Sequence, residues 1–120
     1  MPAVLALGLD PASVELPGRP ELTPEMIRAF IEMQLERLRA LWYVVQGCLV
    51  DLGETAEAVT SHHLIGQRFD CVMIGAGLRD SRHLLLFEKL INLVHTHAPQ
   101  AKICFNATPA DTAEAVQRWV

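Results

Sequence analysis

Several features that indicate particular functions are scarce in this sequence. No apolar run approaches the roughly 20 residues that a membrane-spanning helix needs, and the first residues lack the basic stretch of a secretory signal. We therefore expect a cytoplasmic protein without a membrane partner. Lysine and arginine number 10 against 14 aspartate and glutamate residues, a formal net charge of −4. This balance disfavours nucleic acid as a partner, because phosphate backbones favour basic surfaces.

Residues that commonly bind metals or carry out catalysis are also few or poorly spaced. The three cysteines, Cys48, Cys71 and Cys104, lie in predicted strands and show no C-x-x-C spacing. They indicate buried free thiols in a reducing compartment rather than disulfides or a metal site. The histidines have no acidic residue at metal-ligand spacing, and no G-x-S-x-G elbow is present. We expect no metal and no cofactor, and catalysis is not the favoured function.

Apolar segments and helical patterns alternate along the whole chain. Hydrophobic residues make up 51% of the 120 residues, which is enough for one packed domain spanning residues 1–120. The predicted strands are Ala3 to Leu9, Tyr43 to Val50, the run ending at Ile74, and Lys102 to Asn106. The predicted helices are Thr23 to Leu41, Glu54 to Ile65, Asp80 to His97, and a last one opened by Thr108-Pro109. Long crossovers between the strands predict a three-layer α/β/α fold with four parallel strands in the order 2-1-3-4.

A glycine-rich turn, Gly75-Ala76-Gly77-Leu78-Arg79, ends the third predicted strand. Open α/β sheets usually hold ligands at the carboxyl ends of their strands. The residues expected to line such a crevice are Asp10, Gly75, Gly77, Arg79, Asn106 and Thr108. Glycines let backbone amides approach an anion, and Arg79 adds a positive charge. The third glycine of the dinucleotide fingerprint and a Walker lysine are missing. The turn is therefore either a small-anion site or a tight connection.

The order of the elements resembles the flavodoxin-like class and, within it, the receiver domain of response regulators. The segment from Asp70 to Ile74 matches the strand that leads to a receiver's phospho-acceptor, but Gly75 stands at the acceptor position. Asp10 is followed by Pro11, where a receiver carries an acidic pair. The resemblance implies the fold and not phosphorylation chemistry. The chain also resembles small bacterial α/β proteins described only as uncharacterised, which implies no function.

The first predicted helix carries more apolar surface than contact with one sheet requires. The residues predicted to face the sheet are Ile27, Phe30, Ile31, Gln34, Leu38 and Leu41. A second stripe is formed by Met26, Ala29, Met33 and Ala40. The helix then ends at Trp42-Tyr43 without the usual glycine or asparagine. Farther along, the run Leu84-Leu85-Leu86-Phe87 is too continuous for all of it to face one sheet.

These features predict a non-enzymatic module that acts through protein contacts, either by self-association or with a partner. The predicted contact residues are Met26, Ala29, Met33, Trp42, Tyr43 and Leu85. Tryptophan and methionine are enriched at interfaces, and the fourth strand is expected at an edge of the sheet. A helix that ends without the usual glycine or asparagine also occurs on engineered surfaces, where local preferences are overridden. A designed patch at Trp42 is therefore one variant of this hypothesis.

Two further questions stay open at this point. The alternative function is a binder of a small anion or nucleotide at the glycine turn, with or without catalysis. The connection from Asp10 to Leu22 contains several prolines. It is either a surface loop or a cover over the crevice.

Overall fold

Four strands form one parallel sheet in the order β2-β1-β3-β4 in the computed structural model, which describes residues 1–13 and 21–120. The strands are β1 (Ala3–Leu9), β2 (Val44–Val50), β3 (Cys71–Ile74) and β4 (Lys102–Phe105). The helices are α1 (Pro24–Ala40), α2 (Thr55–Gly66), α3 (Leu84–His97) and α4 (Thr112–Gln117). The predicted three-layer class and strand order are confirmed. Residues 14–20, which make up most of the connection predicted to be either a surface loop or a cover, lie outside the described residues.

Two hydrophobic clusters, one on each face of the sheet, join the three layers. Leu5 and Ile74 cluster with Leu90 of α3 on one face. Val4 clusters with Leu38 of α1 on the other. Successive side chains of a strand point to opposite faces, and here both faces are covered. This explains why the strands have unbroken apolar sequences. Within the described ranges, no helix is long and apolar enough to cross a membrane.

The three cysteines are buried and free, which confirms the prediction. The sulfur atoms of Cys71 and Cys104, on neighbouring strands, lie 3.5 Å apart. The Cys104 sulfur, together with burial, raises the pKa of Cys71, and burial raises the pKa of Cys48 to about 11. Cys48 and Cys71 are therefore protonated at neutral pH and behave as small apolar side chains.

The third helix begins later than the sequence predicts. Two short 3₁₀ turns, Ala76–Arg79 and Ser81–His83, follow β3 and precede α3. The Asp80 carboxylate accepts a hydrogen bond from the backbone N–H of Arg82 at 2.9 Å and so caps the second turn. Leu84 and Leu85 are exposed at the start of α3, which confirms that part of the four-residue apolar run faces outward.

Helix α1 is rotated relative to the predicted orientation. Leu35 is buried against the sheet, whereas Phe30 and Leu41, predicted to face it, are exposed. The prediction was wrong for these two residues, whereas Gln34 and Leu38 are buried as predicted; α1 packs beside α4 as well as on the sheet. Arg37 lies on the α4 side, where its guanidinium is 3.2 Å from the Glu114 carboxylate. Phe30 is 41% exposed and lies with Met26 and Met33 on the exposed side of the helix.

Thr60 of α2 tests packing in the layer formed by α2 and α3, which covers the face of the sheet opposite α1. Its hydroxyl is fully buried and has no hydrogen-bond partner among the described residues. Thr60→Val keeps the shape and removes the desolvated hydroxyl, so we expect the free energy of unfolding to rise by about 1 kcal/mol. Chemical denaturation measures the change. Thr55→Val is the control, because the Thr55 hydroxyl donates to Asp51 at 2.9 Å; this variant should lose stability. Equal losses in both variants would contradict the prediction.

Candidate functional site

The two glycines of the turn bring the chain close to the end of β1. The N–H of Gly75 donates to the carbonyl oxygen of Leu7 at 2.8 Å. A Cβ atom on Gly75 would lie 3.3 Å from that same oxygen, and one on Gly77 would lie 3.2 Å from Cβ of Leu9. Gly75 has an ordinary φ of −71°, so close packing and not a left-handed backbone accounts for this glycine. These contacts favour the tight-connection interpretation of the turn.

The guanidinium of Arg79 links the carboxyl ends of β3 and β4. It donates to the carbonyl oxygens of Ile74 and Asn106, and to Oδ1 of Asn106 at 3.3 Å. It also lies 4.9 Å from the ring centroid of Phe105, within the range of a cation–π contact. Burial lowers the pKa of Arg79, yet the group remains a cation at neutral pH. Arg79 directs these donors at protein acceptors, which is a structural role.

The end of β4 and the start of the last helical segment are closed by internal hydrogen bonds. The buried Asn106 side chain donates from Nδ2 to the Thr112 hydroxyl at 3.1 Å. The Asp111 carboxylate accepts from the backbone N–H groups of Ala107 at 2.9 Å and Thr108 at 3.1 Å. Burial opposes ionisation, but these backbone hydrogen bonds lower the pKa of Asp111. The chain's own carboxylate thus satisfies the backbone N–H groups of Ala107 and Thr108.

Asp10, the remaining predicted ligand residue, connects β1 to α1. Its carboxylate accepts from the Ala12 N–H at 3.0 Å and from the Arg28 guanidinium at 2.7 Å. The hydrogen bond from Ala12, followed by the one from Arg28, lowers the pKa of Asp10. Its own N–H donates to Val50 at the end of β2 at 2.8 Å. Asp10 therefore holds together the elements that surround the carboxyl edge.

A cleft of about 570 Å³ opens between α1 and the carboxyl half of the sheet. Four small residues lie along its floor, in β1, in β2 and directly after β3: Ala6, Gly8, Gly47 and Gly75. The facing wall is formed by Ile27, Ile31 and Leu35 of α1. Leu49 and Met73 also line the cleft, and space remains between them because the four small positions carry only a methyl group or a hydrogen atom. Of the predicted ligand residues, Gly75, Gly77 and Asn106 line this cleft, whereas Asp10, Arg79 and Thr108 are not part of its lining.

The sequence predicted a crevice at this edge of the sheet but not its extension beneath α1. Its floor residues alternate along the strands with large residues that point to the other layer. Only the strand register places Ala6 beside Gly47 on one side and Met73 on the other. Gly8 and Gly47, which interrupt apolar strands, were the available signal, because glycine inside a strand often marks a close approach or a gap.

Trp42 forms a second unusual feature at the end of α1. Its φ is 73°, a left-handed value and the only one of its kind for a non-glycine residue in the described ranges. The Trp42 N–H donates to Arg39 at 3.0 Å, and the Tyr43 N–H donates to Leu38 at 3.2 Å, as in a Schellman motif. An L-residue in this conformation costs about 1–2 kcal/mol. Trp42 is 75% exposed, so burial of its indole does not offset that cost.

The predicted contact residues fall into different places. Leu41, Trp42 and Val44, here named the Trp42 surface, are exposed near the amino ends of β1 and β2. Tyr43 was predicted to belong with them, but it is buried with Leu38. Hydrophobic contact between these two positions commonly accompanies a Schellman motif.

The remaining contact residues lie on two separate helices. Met26, Ala29, Phe30 and Met33, here named the α1 stripe, are exposed along the outward side of α1. Leu85 is also exposed but belongs to α3. Because α3 covers the opposite face of the sheet, Leu85 is separate from the α1 stripe.

The sheet edges indicate how contacts can form. On the outer side of β2, Arg39 donates to the Val45 carbonyl at 3.0 Å and Gln46 donates to the Gly47 carbonyl at 2.9 Å. Strand β4 is the other edge, as predicted, and Arg118 donates to its Phe105 carbonyl at 2.8 Å. Covered edge carbonyls disfavour pairing with a further strand. Contact through side chains is therefore favoured over strand addition.

The described part of the chain contains no group of three or more His, Cys, Asp or Glu residues that could hold a metal ion. Compared with protein-family models, with curated proteins and with solved structures, the chain matches none of them. The function is accordingly inferred from the geometry of its own residues.

Proposed function

We propose that this chain is a non-enzymatic module that self-associates through the Trp42 surface and the α1 stripe. The observation that carries the proposal is the left-handed backbone at the exposed Trp42. Backbone strain at a bulky exposed residue is a feature of functional positions. The argument uses backbone conformation and exposure alone, so it applies equally to a natural and to an engineered surface.

The magnitudes favour burial of Trp42 in an interface. The left-handed conformation costs about 1–2 kcal/mol, and the exposed indole itself contributes nothing toward that cost within one copy. A tryptophan at the centre of an interface commonly contributes about 2 kcal/mol or more to binding. Association therefore offsets the strain, whereas glycine at the same position would remove the strain without adding contact.

The opposite ends of α1 favour a second copy of this chain as the partner. Glu25 lies in the first turn of α1, and Arg37 and Arg39 lie in its last turn. In a two-fold contact the same surface meets itself. Arg37 and Arg39 are already paired within one copy, with Glu114 and with Glu32 and Glu36. The attraction left to antiparallel α1 helices is therefore the one between the opposite ends of their macrodipoles. An antiparallel pairing also brings the end of one helix, where Trp42 is exposed, toward the start of the other, where Met26 is exposed, and contacts between methionine sulfur and aromatic rings are favourable.

Three proteins separate the indole from the backbone strain: the unchanged chain, Trp42→Gly and Trp42→Ala. We expect both variants to weaken dimerisation by at least about tenfold, measured by sedimentation equilibrium over a concentration series. At concentrations where all three are monomeric, Trp42→Gly should raise the free energy of unfolding by about 1 kcal/mol. Trp42→Ala should not raise it, because alanine keeps the strained Cβ.

Trp119→Ala is the matched control, since it removes an indole that is also more than half exposed but lies at the end of α4. It should leave dimerisation unchanged. An unchanged chain that stays monomeric at the highest concentration would overturn self-association and direct the search to a different protein partner. A dimer that Trp42→Ala does not weaken would overturn the role of Trp42.

A further inference from the structure

We infer that the cleft between α1 and the sheet binds a small uncharged molecule with a mostly apolar body and a hydrogen-bond acceptor. This inference is independent of self-association, because the cleft lies beneath α1 and the α1 stripe lies on its outward side. The volume of about 570 Å³ falls within the range of about 300–1,000 Å³ that is usual for small-molecule sites.

The cleft is a wedge with a closed inner end. At Gly47 a Cβ atom would lie 3.0 Å from Cδ1 of Leu35, so helix and sheet are in contact there. Toward the start of α1, Ile31 and Ile27 are only partly buried although they line the cleft. Apolar side chains that remain partly uncovered inside the fold gain free energy when an apolar molecule displaces water from them.

Asn106 supplies a polar contact within this apolar lining. It is buried, and its orientation is set on both sides: Oδ1 accepts from Arg79 at 3.3 Å, and Nδ2 donates to the Thr112 hydroxyl at 3.1 Å. A side-chain amide nitrogen carries two hydrogens, and this bond uses one. The other hydrogen is available to an acceptor in the cleft, such as a ligand carbonyl group.

The charges at the mouth of the cleft disfavour an anionic ligand. Arg28 and Arg39 both line the cleft, but each is paired. Arg28 lies 2.7 Å from the Asp10 carboxylate, and Arg39 lies 2.6 Å from Glu32 and 2.5 Å from Glu36. Among the described residues, the arginines that line the cleft are therefore neutralised by carboxylates and leave no excess of positive charge to attract an anion.

Two fluorescent probes with the same ring system test the ligand class. N-phenyl-1-naphthylamine is uncharged, and 8-anilino-1-naphthalenesulfonate adds one sulfonate group. We expect the uncharged probe to bind at least about tenfold more tightly in fluorescence titrations. A sulfonate probe that binds equally well or better would overturn the inference about charge, and no response to either probe would overturn the site.

A pair of α1 variants tests the location. Ile31→Trp fills the cleft from its wall, and Ala29→Trp adds the same side chain on the outward side of the same helix. We expect Ile31→Trp to weaken binding of the uncharged probe by at least about tenfold and Ala29→Trp to leave it unchanged. Circular dichroism establishes that both variants are folded. Unchanged binding by folded Ile31→Trp would overturn the cleft as the site.

Two competitors test the contact with Asn106. 2-Acetylnaphthalene carries a carbonyl acceptor, and 2-ethylnaphthalene has the same size without it. The ketone should displace the bound probe at the lower concentration; a better hydrocarbon competitor would remove the proposed role of Asn106. Trp42→Ala should keep the same probe affinity. Failure of self-association and failure of the ligand site are therefore distinguishable.

Discussion

Replacing Arg79 with methionine is expected to lower the free energy of unfolding by about 3 kcal/mol. Hydrogen bonds from a charged donor contribute about 1.5–3 kcal/mol, and acceptors left unpaired in a partly buried place cost further free energy. The change removes the donors to the carbonyl oxygens of Ile74 and Asn106 and the cation beside Phe105. The ends of β3 and β4 would lose the side chain that joins them.

Equilibrium denaturation with urea measures this loss. Arg68→Met is the control, because Arg68 is exposed and a surface substitution of this kind changes stability by less than about 0.5 kcal/mol. Arg79→Lys should recover only part of the loss, since an ammonium group lacks the planar fork that reaches two carbonyl groups at once. If Arg79→Met costs no more than the control, the structural role of Arg79 is wrong.

Replacing Gly75 with valine is expected to cost about 2–3 kcal/mol. The new Cβ would lie 3.3 Å from the Leu7 carbonyl oxygen, and the added methyl groups would crowd it further. The backbone at Gly75 and the Leu7 carbonyl group cannot move apart freely, because the Gly75 N–H donates to that same oxygen at 2.8 Å. Strand β1 is also held between two neighbouring strands. A flexible side chain could yield at such a contact, but the backbone of a central strand cannot.

Gly66→Val provides the comparison in the same denaturation experiment. A Cβ atom at Gly66, the last residue of α2, would meet no atom within 4 Å, so its replacement should change stability far less. A stable Gly75→Val protein would contradict the packing role of the glycine turn. It would also return attention to the turn as a place where a ligand approaches the backbone.

The positions of the predicted ligand residues were easier to predict than their interactions. Strand order and chain direction bring Gly75 and Asn106 to one edge of the sheet, because parallel strands end together. The bonds that Arg79 makes to Asn106 join residues 27 positions apart, and no local pattern indicates them. The same applies to Asp111, whose carboxylate accepts from the backbone N–H groups of Ala107 and Thr108.

The end of α1 shows a similar division. The lack of glycine after the helix is visible in the sequence, and it correctly marked Trp42 as unusual. The left-handed backbone at Trp42 and the burial of Tyr43 became apparent only in the folded chain. Both follow from the way Leu38 and Tyr43 pack into the core, which forces the residue between α1 and β2 to make the turn.

The sequence by itself determined the three layers, the strand order and the buried thiols. These follow from apolar periodicity, from crossover length and from the preference of each residue type for burial. Only the tertiary structure decided which side of α1 is covered, what Arg79 binds, and where a cleft remains. The reason is that each of these depends on register and packing between segments far apart in the chain. The local sequence around a residue does not indicate which distant side chain will pack against it, or whether that position is a glycine.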